Sequence, residues 1–479
     1  MTIVVAKAKP LVVDLDGTLI RSDLLLESAF AELGRKPQSI IDMLRALAAG
    51  KATLKHRIAE SHEFDPSILP YDKDVLALIE EARSQGRPVY LASASTKRLV
   101  EAIADHLGIF DGWIASDETH NLAGRAKAAH LVERFGERGF DYIGNDKVDL
   151  AIWQVADKAI ARRASPSVRR ALDRVSPGAH YIDEPRPPLR VWAKLFRVHQ
   201  WAKNALVFVP LVTSQHFDIT SVYHAVVAFI AFSLCASAVY VLNDMVDLAA
   251  DRAHPSKKRR PLASGAISLW SAIPWVPVLL ICSILLAISV SWTFLAALLA
   301  YLALTTAYSF YLKRKFLLDV VALAMLYSTR VLGGAVAIGA SVSEWLLAFS
   351  MFIFTSLALI KRYSELAVRL DADMPNPSNR NYQVGDLDIV MAMAAASGFN
   401  AVTVLALYVS SDYVKEHYAL PEALWLLCPV LMYWIGRALM QSHRRLMDDD
   451  PVVFALKDRV SRQAFVIVAV IVAVAIWGG

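Results

Sequence analysis

Two stretches of this sequence carry acids at spacings that suit phosphate chemistry. The first is Asp14-Leu15-Asp16-Gly17-Thr18, which closes a β-branched run. Two carboxylates two residues apart can divide labour, one as nucleophile and one as proton donor. The second is NDMVDLAAD, Asn243 to Asp251, which closes a long apolar run. On a continuous helix Asp244, Asp247 and Asp251 fall within about 60° of one face. Three such carboxylates at a membrane boundary repel each other. They are tolerable where they bind divalent cations, and Mg²⁺ in such sites usually shares a substrate phosphate. His254, Lys257, Lys258, Arg259, Arg260, Pro261, Ser264 and Gly265 follow at once. Acid to fix a metal and base to hold phosphate make a diphosphate site. The plainer alternative is a solvated acidic helix end followed by basic membrane anchors.

These residues need elements to position them. Val4 to Val13 reads as a buried strand that turns at the aspartates, and residues 21–85 are mainly helical in pattern. Pro88 to Ala92 and Asp141 to Ile143 read as further strands. Strands alternating with helices predict a parallel α/β sheet, and ligand chemistry in such sheets sits at the carboxyl ends of the strands. Residues 183–190, DEPRPPLR, form a charged, proline-rich linker. The predicted division is 1–182, the linker 183–190, and 191–479.

Composition separates the two halves. Hydrophobic residues make up 56% of the 479 and charged residues 20%, with a mean hydropathy of +0.40. That surplus excludes disorder and a single ordinary soluble domain. It is concentrated beyond residue 204, where nine candidate spans are read: 204–217, 222–242, 270–289, 292–312, 317–338, 344–361, 389–410, 421–440 and 463–478. A span needs about 20 residues, so the first is short. If all nine cross and the N-terminal half is cytoplasmic, the cytoplasmic loops hold eighteen Lys and Arg and the opposite loops hold only Lys415. That is the positive-inside pattern. It predicts a multi-pass protein of the inner (plasma) membrane with its N-terminal domain in the cytoplasm. The basic residues cluster beside the spans, so they point to topology and not to nucleic acid. Cys235, Cys282 and Cys428 lie inside apolar runs, which argues against a disulfide framework. The short apolar start, broken by Asp14 and Asp16, does not read as a signal peptide.

Two charges lie within the spans. Asp319 and Arg330 are eleven residues apart, which places them on one helical face about 16 Å from each other. Intramembrane charges mark function by default. Asp319 reads as part of a cytoplasm-facing cavity, near Lys313. Arg330 reads equally as a structural partner for a polar group elsewhere in the bundle. Asp448-Asp449-Asp450 reads as a solvated loop ahead of a metal site.

The DLDGT motif resembles the haloacid dehalogenase superfamily, whose first motif is DxDGT. Its later motifs follow in order: Ser93 after PVYLA, Lys127 in GRAKAAHL, and GNDKVD at 144–149. The resemblance spans about residues 9–165 and implies a helical cap on the sheet. It implies that Asp14 forms an aspartyl-phosphate and that Asp16 is the acid/base. By the same resemblance Ser93 and Lys127 hold the phosphoryl group and Asp149 supports Mg²⁺. The family usually has Asp where this chain has Asn145, which weakens the expected metal site.

The NDxxDxxxD segment resembles the UbiA superfamily of intramembrane prenyltransferases, over about 190–479. That resemblance implies nine spans and a Mg²⁺-diphosphate at Asp244, Asp247 and Asp251. The aromatic prenyltransferases carry a second DxxxD after the sixth span. Here Lys361-Arg362-Tyr363-Ser364-Glu365-Leu366 stands instead. A smaller branch, which resembles decaprenyl-phosphate phosphoribosyltransferase, fits better. It carries counterparts of Arg197 to Asn204, of Lys361-Arg362 with Glu365, and of the late segment Asp450 to Ser461. The branch implies a donor, phosphoribosyl diphosphate, and an acceptor, a polyprenyl phosphate. Lys203, Asn204, Asn243, Lys257, Arg259, Arg260, Lys313, Asp319, Lys361, Arg362 and Glu365 are the residues expected at the substrates. The alternative is a prenyltransferase joining a prenyl diphosphate to an aromatic or other acceptor. A membrane-anchored phosphatase is a third reading, disfavoured because a mere anchor needs neither constellation in the membrane half. The bilayer is the expected partner, and a homo-oligomer is left open.

Overall fold

The computed structural model describes residues 8–36, 38–39, 42, 45, 64–116, 122–341, 343–374, 381–447 and 451–478. The chain folds as two compact units. One comprises Met1–Phe196 with Tyr240–Val276, and the other Arg197–Val239 with Pro277–Gly479. This cuts the chain differently from the linker at 183–190, because 240–276 shares a core with the N-terminal domain. In that core Leu248, Leu262, Ala263 and Ile267 pack with Leu195 and against Leu26 and Phe30.

The first unit carries a six-stranded sheet: β1 (Leu11–Asp14), β2 (Val89–Thr96), β3 (Gly112–Ser116), β4 (Asp141–Gly144), β5 (Ala159–Arg162) and β6 (His180–Ile182). The order is β3-β2-β1-β4-β5-β6, and every pairing is parallel. All four residues of β1 are buried, as expected of a parallel strand covered on both faces. Strand order reverses at β1 and β4, which opens a crevice at their carboxyl ends. Three strands were read from the sequence. The additional β3, β5 and β6 are three to five residues long, too short to show periodicity. Helix α1 (Leu24–Arg35) follows β1 and is capped by Asp23, whose side chain accepts from Leu26 N. Most of the expected cap after it, 40–63, lies outside the described residues apart from Asp42 and Arg45.

Among the described residues eight helices are long and apolar enough to cross a membrane, not nine. Ile219–Val246, Leu269–Val290, Trp292–Phe310, Leu318–Ala337, Glu344–Asp371, Val384–Val409, Pro421–His443 and Arg459–Trp477 match the last eight expected spans. The first span, read at 204–217, differs. It is a 3-10 helix, Val198–Phe208, followed by a short α-helix, Val209–Thr213. Its 16 residues fall short of the roughly 20 that a spanning α-helix needs. Gly334 explains how this stretch packs. A Cβ there would lie 2.1 Å from the Val207 carbonyl oxygen, so only glycine lets the two backbones approach this closely. Val278, Ile281, Leu285 and Ile288 are exposed along one face of the Leu269–Val290 helix, which suits contact with lipid.

Candidate active sites and the polar clusters of the bundle

The sheet brings the four phosphatase-type motifs together at its switch point. Lys127, on the helix Arg125–Phe135, donates to Asp14 Oδ1 at 2.7 Å, to Tyr142 OH at 3.1 Å and to the Ala92 carbonyl at 3.2 Å. Asp16 Oδ2 accepts from Ser93 Oγ at 3.3 Å and Ser95 Oγ at 2.7 Å. Its other oxygen accepts from Leu24 N at 2.8 Å, at the start of α1. Asp149 accepts from Tyr142 OH and from the backbone N–H groups of Asn145 and Asp146. The Asn145 carboxamide lies against Gly17, so it faces the DLDGT turn. Ser95 and Tyr142 were missed from the sequence. Ser95 was findable, because it lies two residues from Ser93 on β2 and therefore on the same face. Tyr142 had no local signal.

The electrostatics of this site follow from crowding. Burial pushes the Asp14 carboxyl up to about 7 against the pull of Lys127, and the Asp149 and Asp16 carboxylates push the same way. Burial works against the Lys127 charge, but Asp14, Asp149 and Asp16 overcome it and hold the ammonium charged. Three acids thus face one lysine, and a divalent cation would balance them. No group of three or more His, Cys, Asp or Glu is gathered for a metal among the described residues. Mg²⁺ needs only one or two carboxylates alongside waters and phosphate. Asp14 and Asp149, whose charges act on one another, are the carboxylates here that match that demand.

The aspartate-rich segment has its own geometry. Asp244 closes the helix Ile219–Val246 and Asp251 lies on Leu248–Ala253. The helix expected to run through them breaks at Asp247. Asp247 N still bonds Asn243 O at 2.9 Å and Asp251 N bonds Asp247 O at 2.8 Å, so the acids stay on successive turns. Arg260 Nη1 lies 3.1 Å from Asp244 Oδ1 and 2.5 Å from Asp251 Oδ2. Two buried carboxylates converging on one cationic nitrogen are a donor set that fits a metal ion. Burial, with the Asp244 charge beside it, raises the Asp251 carboxyl despite Arg260. Lys257 is half-buried, and Lys258 and Arg259 are exposed.

In the second unit three of the charges expected at the substrates, Asp319, Arg362 and Glu365, are bonded to one another. Arg362 is 1% exposed. It donates to Asp319 Oδ2 at 2.6 Å, Glu365 Oε2 at 2.5 Å and Tyr308 OH at 3.1 Å. Tyr382 OH donates to the other Asp319 oxygen at 2.7 Å. Asp319 is thus ion-paired with Arg362. Arg330 donates to Asn204 Oδ1 at 2.7 Å, Tyr301 OH at 2.8 Å and the Leu326 carbonyl. Asn204 passes its amide on to Ser233 Oγ at 3.0 Å. Both ends of the Asn204 carboxamide are therefore used inside the bundle, and Arg330 takes the structural reading. Lys203 is buried, and Lys313 and Lys361 are half-buried. Asp448–Asp450 lie outside the described residues.

Two stability predictions follow. Removing one partner of a buried ion pair costs about 3–5 kcal/mol, so Asp319→Ala is expected to reduce folded, extractable protein sharply. Asp319→Asn, which keeps an acceptor for Tyr382 or Arg362, is expected to lose less. Arg330→Leu leaves Asn204 Oδ1 and Tyr301 OH without their donor, at about 1–3 kcal/mol each. Its thermal midpoint in detergent should fall by several degrees, with insertion unchanged.

The fold is a multi-pass helical membrane bundle on the same chain as a parallel-sheet α/β domain. The chain belongs to the UbiA prenyltransferase family and carries an N-terminal haloacid dehalogenase-like domain. Residues 205–373 match the UbiA prenyltransferase family, and 11–153 match haloacid dehalogenase-like hydrolases. The uncharacterized protein y4nM of Sinorhizobium fredii is 36% identical over 458 residues, 94% of this chain and 88% of that protein. Nodulation protein NoeC of Azorhizobium caulinodans is 35% identical over 271 residues, 57% of this chain and 88% of its own. Decaprenyl-phosphate phosphoribosyltransferase of Mycobacterium tuberculosis is 35% identical over 189 residues. That match covers 38% of this chain and 63% of the enzyme.

Proposed function

We propose that the membrane half transfers phosphoribose from phosphoribosyl diphosphate to a polyprenyl phosphate. A lipid phosphate oxygen attacks the anomeric carbon, the bond from that carbon to the diphosphate oxygen breaks, and diphosphate leaves. The observation that carries this reading is a pairing on one chain. Buried Asp244 and Asp251 converge on one cation, and the N-terminal domain holds a phosphatase constellation around Asp14. Transfer of phosphoribose leaves a 5-phosphate monoester on the lipid, which is what such a constellation removes. A prenyl transfer to an aromatic acceptor leaves none. The partial relative that transfers phosphoribose to decaprenyl phosphate supports the same reading.

Asp244, Asp247 and Asp251 would hold Mg²⁺, which neutralises the departing diphosphate. Asn243, Lys257, Arg259 and Arg260 hold phosphate oxygens, and Lys203, Lys313 and Lys361 keep the phosphate-binding role the resemblance implies. Arg362, Asp319 and Glu365 set the shape of the bundle around them. In the N-terminal domain Asp14 attacks phosphorus, and Lys127 and Ser93 hold the phosphoryl oxygens. Asp16 protonates the leaving oxygen and then activates water. Tethering both activities raises the product concentration at the second one. The N-terminal domain lies in the cytoplasm, at the plasma membrane. The test incubates membranes containing the full chain with Mg²⁺, polyprenyl phosphate and phosphoribosyl diphosphate labelled in the ribose. Labelled lipid is expected. Label that stays water-soluble, with lipid labelling from prenyl diphosphate instead, overturns the reading in favour of prenyl transfer.

A further inference from the structure

The N-terminal domain does more than share a chain with the aspartate-rich segment, because its helix α1 is bonded to it. Arg252, next to Asp251, is 6% exposed. Its Nη1 and Nη2 donate to both carboxylate oxygens of Glu27 at 2.8 and 2.6 Å, and its Nε donates to the Ala263 carbonyl at 3.1 Å. One guanidinium therefore ties the acidic stretch to the basic stretch that follows it and fixes both to α1. The fork is planar and bidentate, the geometry in which arginine specifies position best. Around it Trp270 Nε1 donates to Asp23 Oδ2 at 3.1 Å. A Cβ on Gly265 would fall 2.5 Å from Arg21 Cβ, and one on Gly34 would fall 2.5 Å from Val246 Cγ1. Leu26 and Phe30 complete the contact in a shared apolar core. The start of the same helix, Leu24 N, is bonded to Asp16.

We propose that Glu27 is a positioning residue for diphosphate binding. Through Arg252 it holds residues 251–263 in register, so the N-terminal domain is a working part of the transferase as well as a second enzyme. This rests on the reading of 243–265 as the diphosphate segment. It assigns a role to residues that the chemistry of neither half requires.

The full chain in detergent tests it by thermal shift, with Mg²⁺ and inorganic diphosphate as the probe. The wild-type chain is expected to be stabilised. Glu27→Gln, which keeps the shape and removes the charge, should need about tenfold more diphosphate for half of the shift. In transfer assays it should raise KM for the donor about tenfold, with kcat within about threefold. Glu27→Asp, too short to reach both guanidinium nitrogens, should fall between, and it carries the test if Glu27→Gln does not accumulate. A purely structural contact would lower the midpoint without ligand and leave the half-saturating diphosphate unchanged, and that result overturns the proposal. A wild-type chain that Mg²⁺-diphosphate does not stabilise overturns the diphosphate reading itself, and this inference with it.

Discussion

Asp244→Asn is expected to lower transfer by about 10²–10³-fold, the usual cost of losing one preorganised charge at the reacting group. The protein should stay folded and inserted. Asn keeps the shape of the side chain, so the packing around this 2%-exposed residue survives. The Asp244 charge is one of the causes that raise the Asp251 carboxyl. Removing it relieves that repulsion but weakens one of the two contacts of Arg260, so the thermal midpoint without ligand should change little. A large loss of activity with little change in the midpoint separates a lost metal ligand from a packing defect. Asp251→Asn should behave alike, since both acids share Arg260. Asp247→Asn tests whether the acid at the helix break belongs to the same set. The measurement is ribose label entering lipid across a Mg²⁺ titration. Near-normal transfer by Asp244→Asn at saturating Mg²⁺ would remove the diphosphate site from this segment.

What the sequence made legible was what is local. DLDGT announces a strand, a turn and two acids within five residues, and NDxxDxxxD announces three acids on successive turns. The eight long spans are legible because each meets the bilayer's length demand within one segment. The first expected span is instead a 3-10 helix and a short α-helix. The close approach of its Val207 backbone to Gly334, 127 residues away, has no local signal. The same holds for the charges inside the bundle. Arg330 and Asn204 are both conspicuous, yet nothing local pairs them across 126 residues. Arg362, through the branch resemblance, and Asp319, as a charge just inside a span, were both read as substrate contacts. Folding makes them each other's partner, and a buried charge with a partner is structural before it is chemical. The bond from Glu27 to Arg252 was invisible for the same reason, since 225 residues separate its ends.

Asp14→Asn is expected to abolish phosphate release from the phosphoribosylated lipid, on the order of 10⁴-fold or more, the scale on which nucleophile removal acts in other hydrolases. Ribose label should still enter lipid. Product would then accumulate with its 5-phosphate intact, and a shift in lipid mobility on chromatography reads this directly. Asn145 decides how strong the wild-type activity is. It lies against Gly17, directly after Asp16 in the DLDGT turn, where a carboxamide would offer a metal an oxygen and no charge. Asn145→Asp adds a carboxylate to a pocket where burial, Asp149 and Asp16 already push the Asp14 carboxyl upward. Without Mg²⁺ that extra charge should lower the thermal midpoint. With Mg²⁺ it should bring half-maximal phosphate release to about tenfold less metal, the size of effect that groups around a metal commonly have. The opposite signs with and without metal separate a gain in cation binding from a general change in stability. Phosphate release that survives Asp14→Asn would take the nucleophile out of the DLDGT turn. Release absent from the wild type and restored by Asn145→Asp would make the natural domain a phosphate-binding module that has shed its chemistry.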